Sequence, residues 1–135
     1  MNYLLDTNVC IALINGSSSR IRQRYIQATA HILPQVSPIA AHELWYGVAK
    51  SDRVAENANR LTAFLNNAVE ILDYTEQDAH AAGEIRAELE RAGQRIGEYD
   101  TLIAGQAYSR NLILVTANTR EFDRVKGLIV EDWSL

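Results

Sequence analysis

The chain has 135 residues, 47% of them apolar and 22% charged, with two prolines and one cysteine, which suits one globular domain over 1–135 and excludes disordered and disulfide-stapled classes. No apolar run is long enough to span a bilayer, and the first residues lack the basic start and apolar stretch of a secretory signal, so a cytoplasmic protein without a membrane partner is expected. The net charge of −4 argues against a broad phosphate-binding surface, yet eleven of the thirteen basic residues are arginine, grouped at Arg20, Arg22 and Arg24 and at Arg120, Arg124 and Lys126. Each group reads either as a phosphate contact or as a solvated helix face.

The first stretch, Tyr3 to Leu5, is a short apolar run that ends in Asp6. An amphipathic segment follows at once, with apolar residues at Val9, Ile11, Ala12, Leu13 and Ile14, so the pattern is strand, turn, helix. In an open parallel sheet, ligands bind outside the carboxyl ends of the strands, which makes Asp6 the first candidate for chemistry. The competing reading is that Asp6 or Asn8 caps the helix. Cys10 falls on that helix and reads as a small core residue.

Gly16 to Ser19 form a turn whose serines can cap a second helix with Ile21, Tyr25 and Ile26 as its buried stripe. Ile32 to Val36 is interrupted by Pro34, which marks an edge or irregular strand. Ser37-Pro38 opens a helix running through Glu43 to about Ser51, and helical spacing resumes from Arg53 through Leu61, Phe64 and Leu65, as in a helical hairpin. Val69 to Leu72 reads as a strand. Thr75 and Asp78 stand at capping-box spacing before a helix whose inward set is Ala79, Ala82, Ile85 and Leu89, ended by Gly93. Gly97 to Asp100 lead into a helix with Leu102, Ile103, Ala107 and Tyr108 on its apolar face. Leu112 to Val115 is the most apolar run, the pattern of a strand buried on both faces, and it stops at Thr116-Ala117-Asn118. A short helix over Thr119 to Arg124 and a strand at Leu128 to Val130 precede the tail, Glu131 to Leu135.

Strands alternating with helices predict a parallel sheet covered on both faces, with Asp6 and Asn118 on one rim. Asp6, Glu43 and Asp100 stand out because each lies where an element begins or on a flank that should be buried, as Ala40, Leu44 and Val48 imply for Glu43. Hard oxygen ligands from separate elements are what Mg²⁺ or Mn²⁺ takes, and such an ion activates water and steadies a phosphodiester under attack. Three unrelated surface acids is the plainer alternative. His42 adjoins Glu43 but points to another face of its helix, and it reads as an ordinary histidine. Trp45 and Tyr46 read as core or dimer packing ahead of base stacking or the lining of an antitoxin groove.

Four motifs occur in order: Leu4-Leu5-Asp6-Thr7-Asn8; Glu43-Leu44 with Tyr46-Gly47; Ile96-Gly97-Glu98-Tyr99-Asp100-Thr101-Leu102-Ile103-Ala104; and Val115-Thr116-Ala117-Asn118 with Glu121-Phe122. Together they resemble the PIN-domain ribonucleases over the whole chain, and the ending from Asn118 through Trp133 resembles the VapC toxins of bacterial toxin-antitoxin pairs. The resemblance implies an α/β fold, a three-layer α/β/α sandwich with a central, mostly parallel sheet. It also implies a Mg²⁺- or Mn²⁺-dependent endoribonuclease acting on structured RNA such as the anticodon stem-loop of tRNA. Asp6, Glu43 and Asp100 would be the catalytic acids, with Asp6 and Asp100 holding the metal and Glu43 holding or deprotonating the attacking water. Implied partners are RNA, a VapB-type antitoxin, a second copy in a homodimer, and operator DNA only through the antitoxin complex.

At the fourth acidic position of many PIN domains this chain has Asn118, with Glu121 one helical turn on, so both are assigned supporting roles and the second metal is left open. Thr7, Asn8 and Thr116 are candidates to orient the carboxylates, each with a rival role as cap or strand-end residue. Competing classes are a catalytically silent PIN fold and an aspartyl-phosphate phosphotransferase. The latter expects a second aspartate where Asn8 stands, or a lysine where Thr116 stands.

Overall fold

A computed structural model describes residues 1–135. In chain order it contains β1 (Tyr3–Leu5), α1 (Thr7–Asn15), α2 (Ser19–Ala28), β2 (Gln35–Val36), α3 (Pro38–Ala49), α4 (Val54–Asn67), β3 (Glu70–Ile71), α5 (Glu76–Arg91), α6 (Glu98–Ser109), β4 (Ile113–Val115), α7 (Thr119–Phe122) and β5 (Val130–Glu131). The five strands form one sheet in the order β3-β2-β1-β4-β5, every pair parallel, with helices flanking it in the expected three-layer α/β/α arrangement.

The strands are only two or three residues long, so hydrogen bonding alone does not hold the sheet. The core does: Leu4, Leu5, Val36, Leu114 and Val115 are fully buried, and each such side chain is worth about 1.5–3 kcal/mol over an exposed one. From β1 the chain steps one way through β2 to β3, then returns to add β4 and β5 on the other side of β1. The reversal of strand order falls between β1 and β4. In open parallel sheets, ligands bind in the crevice outside the carboxyl ends of the strands at such a reversal.

Local signals in the sequence set most of the helix starts. Ser18 accepts the Ile21 amide, Ser37 accepts the Ile39 amide just before Pro38, and Thr75 and Asp78 form the reciprocal capping box. Helices α5 and α6 approach closely at Gly105, where a Cβ would lie 2.5 Å from that of Ala82. That contact fixes α6, and with it the element that carries Asp100.

Several expectations are corrected. β2 lies inside the sheet rather than at an edge, because pairing begins at Gln35, after Pro34, and the Pro34 carbonyl still accepts the Glu70 amide at 3.0 Å. Ile26, Ala79 and Tyr108 are exposed, since each helix turns only one stripe inward. Trp133, read as tail, is 1% exposed; it packs edge-on against Tyr3 at 5.2 Å and donates to Glu131 at 3.1 Å. Arg24 bonds the same Glu131 carboxylate at 3.1 Å, Arg124 donates to the Arg95 carbonyl, and Lys126 lies 3.9 Å from Glu88. These contacts give part of each basic group a structural use.

Candidate active site

β1 and β4 pair in register, Leu5 opposite Val115, so the next residue of each strand emerges at the crevice. These are Asp6 and Thr116. The Asp6 amide donates to the Val115 carbonyl at 2.9 Å, which anchors the backbone and leaves the carboxylate free to turn toward the rim. Asp6 is 5% exposed, and both of its oxygens have donors: Oδ1 accepts the Thr7 amide and Oδ2 the Thr116 hydroxyl, each at 2.8 Å. Asp6 is therefore the cap of α1 and also a buried acid at the switch point of the sheet. Burial raises its pKa, and the bonds from Thr116 and Thr7 offset that only in part.

Glu43 comes to the same place from α3. The Thr7 hydroxyl donates to its Oε1 at 2.8 Å, so one threonine ties the Asp6 turn to Glu43 through its amide and its side chain. Asp100 arrives in the first turn of α6. Its pKa is pushed up to about 6, first by burial and then by the charges of Asp6, Glu43 and Glu121. Four carboxylates from four elements thus share one field.

Asn118 sits beyond β4 with its amide donating to Thr116 Oγ1 at 3.0 Å and its side-chain nitrogen donating to Glu121 Oε2 at 3.1 Å. The chain Asn118, Thr116, Asp6 links the two rim loops. Asn8, also expected to orient a carboxylate, is exposed and bonds to none of them. Cys10 is buried directly behind, and burial together with the Asp6 charge pushes its thiol pKa up, so it is no nucleophile.

No set of three or more His, Cys, Asp or Glu side chains is drawn tightly enough to cage an ion. Asp100 nevertheless feels three other acids across the pocket. A hard divalent cation such as Mg²⁺ would meet that crowded charge. The donor set, all carboxylate and amide oxygen with no thiolate or imidazole, is of the matching type.

The PIN domain family model matches residues 3–128. The chain belongs to the PIN-domain family. Among the curated relatives of this PIN domain is the tRNA(fMet)-specific endonuclease VapC of Shigella flexneri, 41% identical over 134 residues and 99% of both chains. Its fold matches VapBC2 from Rickettsia felis, bound to a DNA fragment of their promoter, with a TM-score of 0.92 at 38% identity, covering 98% of this chain and 99% of that one. DNA-bound VapBC from Salmonella typhimurium matches with a TM-score of 0.90 at 42% identity over 98% of each.

Two further features of this PIN domain adjoin the acids. A groove of about 240 Å³ runs between α1, α3 and α4, lined by Ile11, Ile14, Leu44, Val48 and Leu61, with Glu43 and Arg60 on its walls. At the rim, His42 and Tyr99 meet edge to face at 5.7 Å. The only available sequence signal for the pair was that each adjoins a candidate acid. Trp45 and Tyr46, read as core or dimer packing, are 40% and 61% exposed, which excludes the core.

Proposed function

We propose that the chain is the endoribonuclease toxin of a type II toxin-antitoxin pair, hydrolysing tRNA at the Asp6, Glu43 and Asp100 pocket with the help of Mg²⁺ or Mn²⁺. The observation that carries the reading is the convergence of these acids at the switch point of the sheet, where burial and then the charges of Asp6, Glu43 and Glu121 push the Asp100 pKa up to about 6. Crowded carboxylates are costly unless a cation meets them. The endonuclease names of relatives aligned over 99% of the chain support the reaction class and tRNA as substrate.

Asp6 and Asp100 would hold the metal, directly or through its waters. Bound there, the ion would supply Lewis-acid charge for the phosphate and lower the pKa of a nearby water. The Thr116 hydroxyl and the Thr7 amide aim the Asp6 carboxyl and favour its charged form against burial. Thr7 occupies Oε1 of Glu43, which leaves Oε2 to take the proton of the water that attacks phosphorus. As that P–O bond forms, the bond to the leaving ribose oxygen breaks. Asn118 and Glu121 brace one another at the edge, supporting the pocket.

A VapB-type antitoxin fits the same surface. Its apolar side chains would lie in the groove beside α3, and an arginine or lysine would enter the acidic pocket, where a guanidinium bridges two carboxylates. Operator DNA would be reached through that complex, and a homodimer is the proposed assembly of the toxin itself.

The test is to purify the protein free of antitoxin, incubate it with total tRNA across Mg²⁺ and Mn²⁺ concentrations, and sequence the cut ends. Discrete metal-dependent cuts in one or a few tRNAs are expected. Intact tRNA at every metal concentration would sink the proposal.

A further inference from the structure

We propose that His42 and Tyr99 form a stacking platform for an unpaired base of the RNA beside the scissile phosphate, an inference that rests on the ribonuclease reading. His42 directly precedes Glu43 on α3, Tyr99 directly precedes Asp100 on α6, and their ring contact bridges the two helices that carry those acids. Both side chains are exposed, Tyr99 at 47%. Their ring centroids lie 5.7 Å apart with an interplanar angle of 73°. In an edge-to-face pair, the ring offering its edge keeps both faces and the other ring keeps one, so three of the four faces are left uncovered by the contact. The contact also spans α3 and α6, which limits how far either ring can swing away.

A net charge of −4 and a pocket of carboxylates make long-range attraction of RNA weak at this rim. Affinity there has to come from interactions that tolerate negative charge nearby. Aromatic stacking does so, because every base has a π-face, and unpaired loop bases are the ones free to leave their own stack. A base laid on His42 or Tyr99 would place its backbone next to Glu43 and Asp100. The same geometry explains a preference for looped over duplex RNA without any base-specific hydrogen bond.

The experiment uses the full chain and an anticodon stem-loop RNA carrying a fluorescent purine analogue in its loop. Steady-state cleavage and binding are measured for wild type, Tyr99→Leu, Tyr99→Phe, His42→Ala and His42→Phe. Tyr99→Leu and His42→Ala should raise KM by about 5- to 150-fold, the range for losing one stacked base, with kcat changed far less. The two Phe variants should restore KM to within a few-fold, and the analogue's fluorescence should be quenched by wild type and the Phe variants only. Unchanged KM and quenching in Tyr99→Leu and His42→Ala would overturn the platform, as would a lowered melting temperature and kcat with unaltered KM, which mark a mere tie between α3 and α6. Wild type failing to cleave any RNA would instead defeat the ribonuclease reading.

Discussion

Replacing Asp100 with asparagine should stabilise the metal-free protein at neutral pH, and by an amount that depends on pH. The carboxyl has a folded pKa of about 6 against an ordinary 3.8, so the folded state disfavours its charge. A difference of about two pH units corresponds to about 3 kcal/mol at 1.36 kcal/mol per unit, and solvent screening of this partly exposed group cuts that to about 1–2 kcal/mol. The sign follows from linkage. A group whose folded pKa is raised binds protons more tightly in the folded state, so the stability that Asp100 contributes is fully present near and below pH 4 and is lost as pH rises through 6. Asparagine carries no charge at any pH and escapes that loss. Melting curves in chelator from pH 4 to 8 should show the two proteins close together at the acid end and Asp100→Asn higher by about 3–8 °C at pH 7.5. Saturating Mg²⁺ should close the gap by stabilising only wild type. Parallel curves across the whole range would refute the reasoning, since neither burial nor the charges of Asp6, Glu43 and Glu121 would then disfavour the ionised Asp100.

Asn118→Ala should reduce cleavage less than Asp6→Asn does, with part of the loss recovered at high metal concentration, because Asn118 supports Thr116 and Glu121 rather than holding the ion; equal, unrescuable losses in steady-state assays would make it a primary ligand. Arg110→Ala should cost about 3–5 kcal/mol in urea unfolding, since it strips two bonds of 3.1 and 3.2 Å from the fully buried Asp78 carboxylate, and a loss under 1 kcal/mol would contradict that account. Gly105→Ala should destabilise by about 1–3 kcal/mol in the same measurement, as its Cβ would meet Ala82 at 2.5 Å, and a neutral result would mean that α5 and α6 part freely.

How much of this could be read in advance varied with the range of the interaction. The caps at Ser18, Ser37 and Thr75 are local, and each was visible as a polar residue before a periodic run. The rim position of Asp6 followed from strand then helix, but its bond to Thr116, 110 residues away, depends on β1 and β4 pairing in register. Sequence order alone does not specify which strands pair. Asp78 illustrates the limit: its spacing from Thr75 announced a cap, while its burial against Arg110 came from the packing of α5 on α6. Gln106, fully buried with its nitrogen donating to the Leu72 and Asp73 carbonyls, looked like any helical polar residue. Trp133 was missed for a related reason, since a short terminal segment has no periodicity to show which side is inward.

The central claim is that Asp6, Glu43 and Asp100 act as one metal-dependent site, and Mn²⁺ binding measured beside RNA cleavage on the same preparations tests it most directly. Asp6→Asn and Asp100→Asn should lose both metal affinity and cleavage, while Glu43→Gln should bind Mn²⁺ more nearly as wild type does and still fail to cut, with all three remaining folded. Wild-type cleavage that persists undiminished in chelator, or near-wild-type cleavage by any of the three variants, would contradict it.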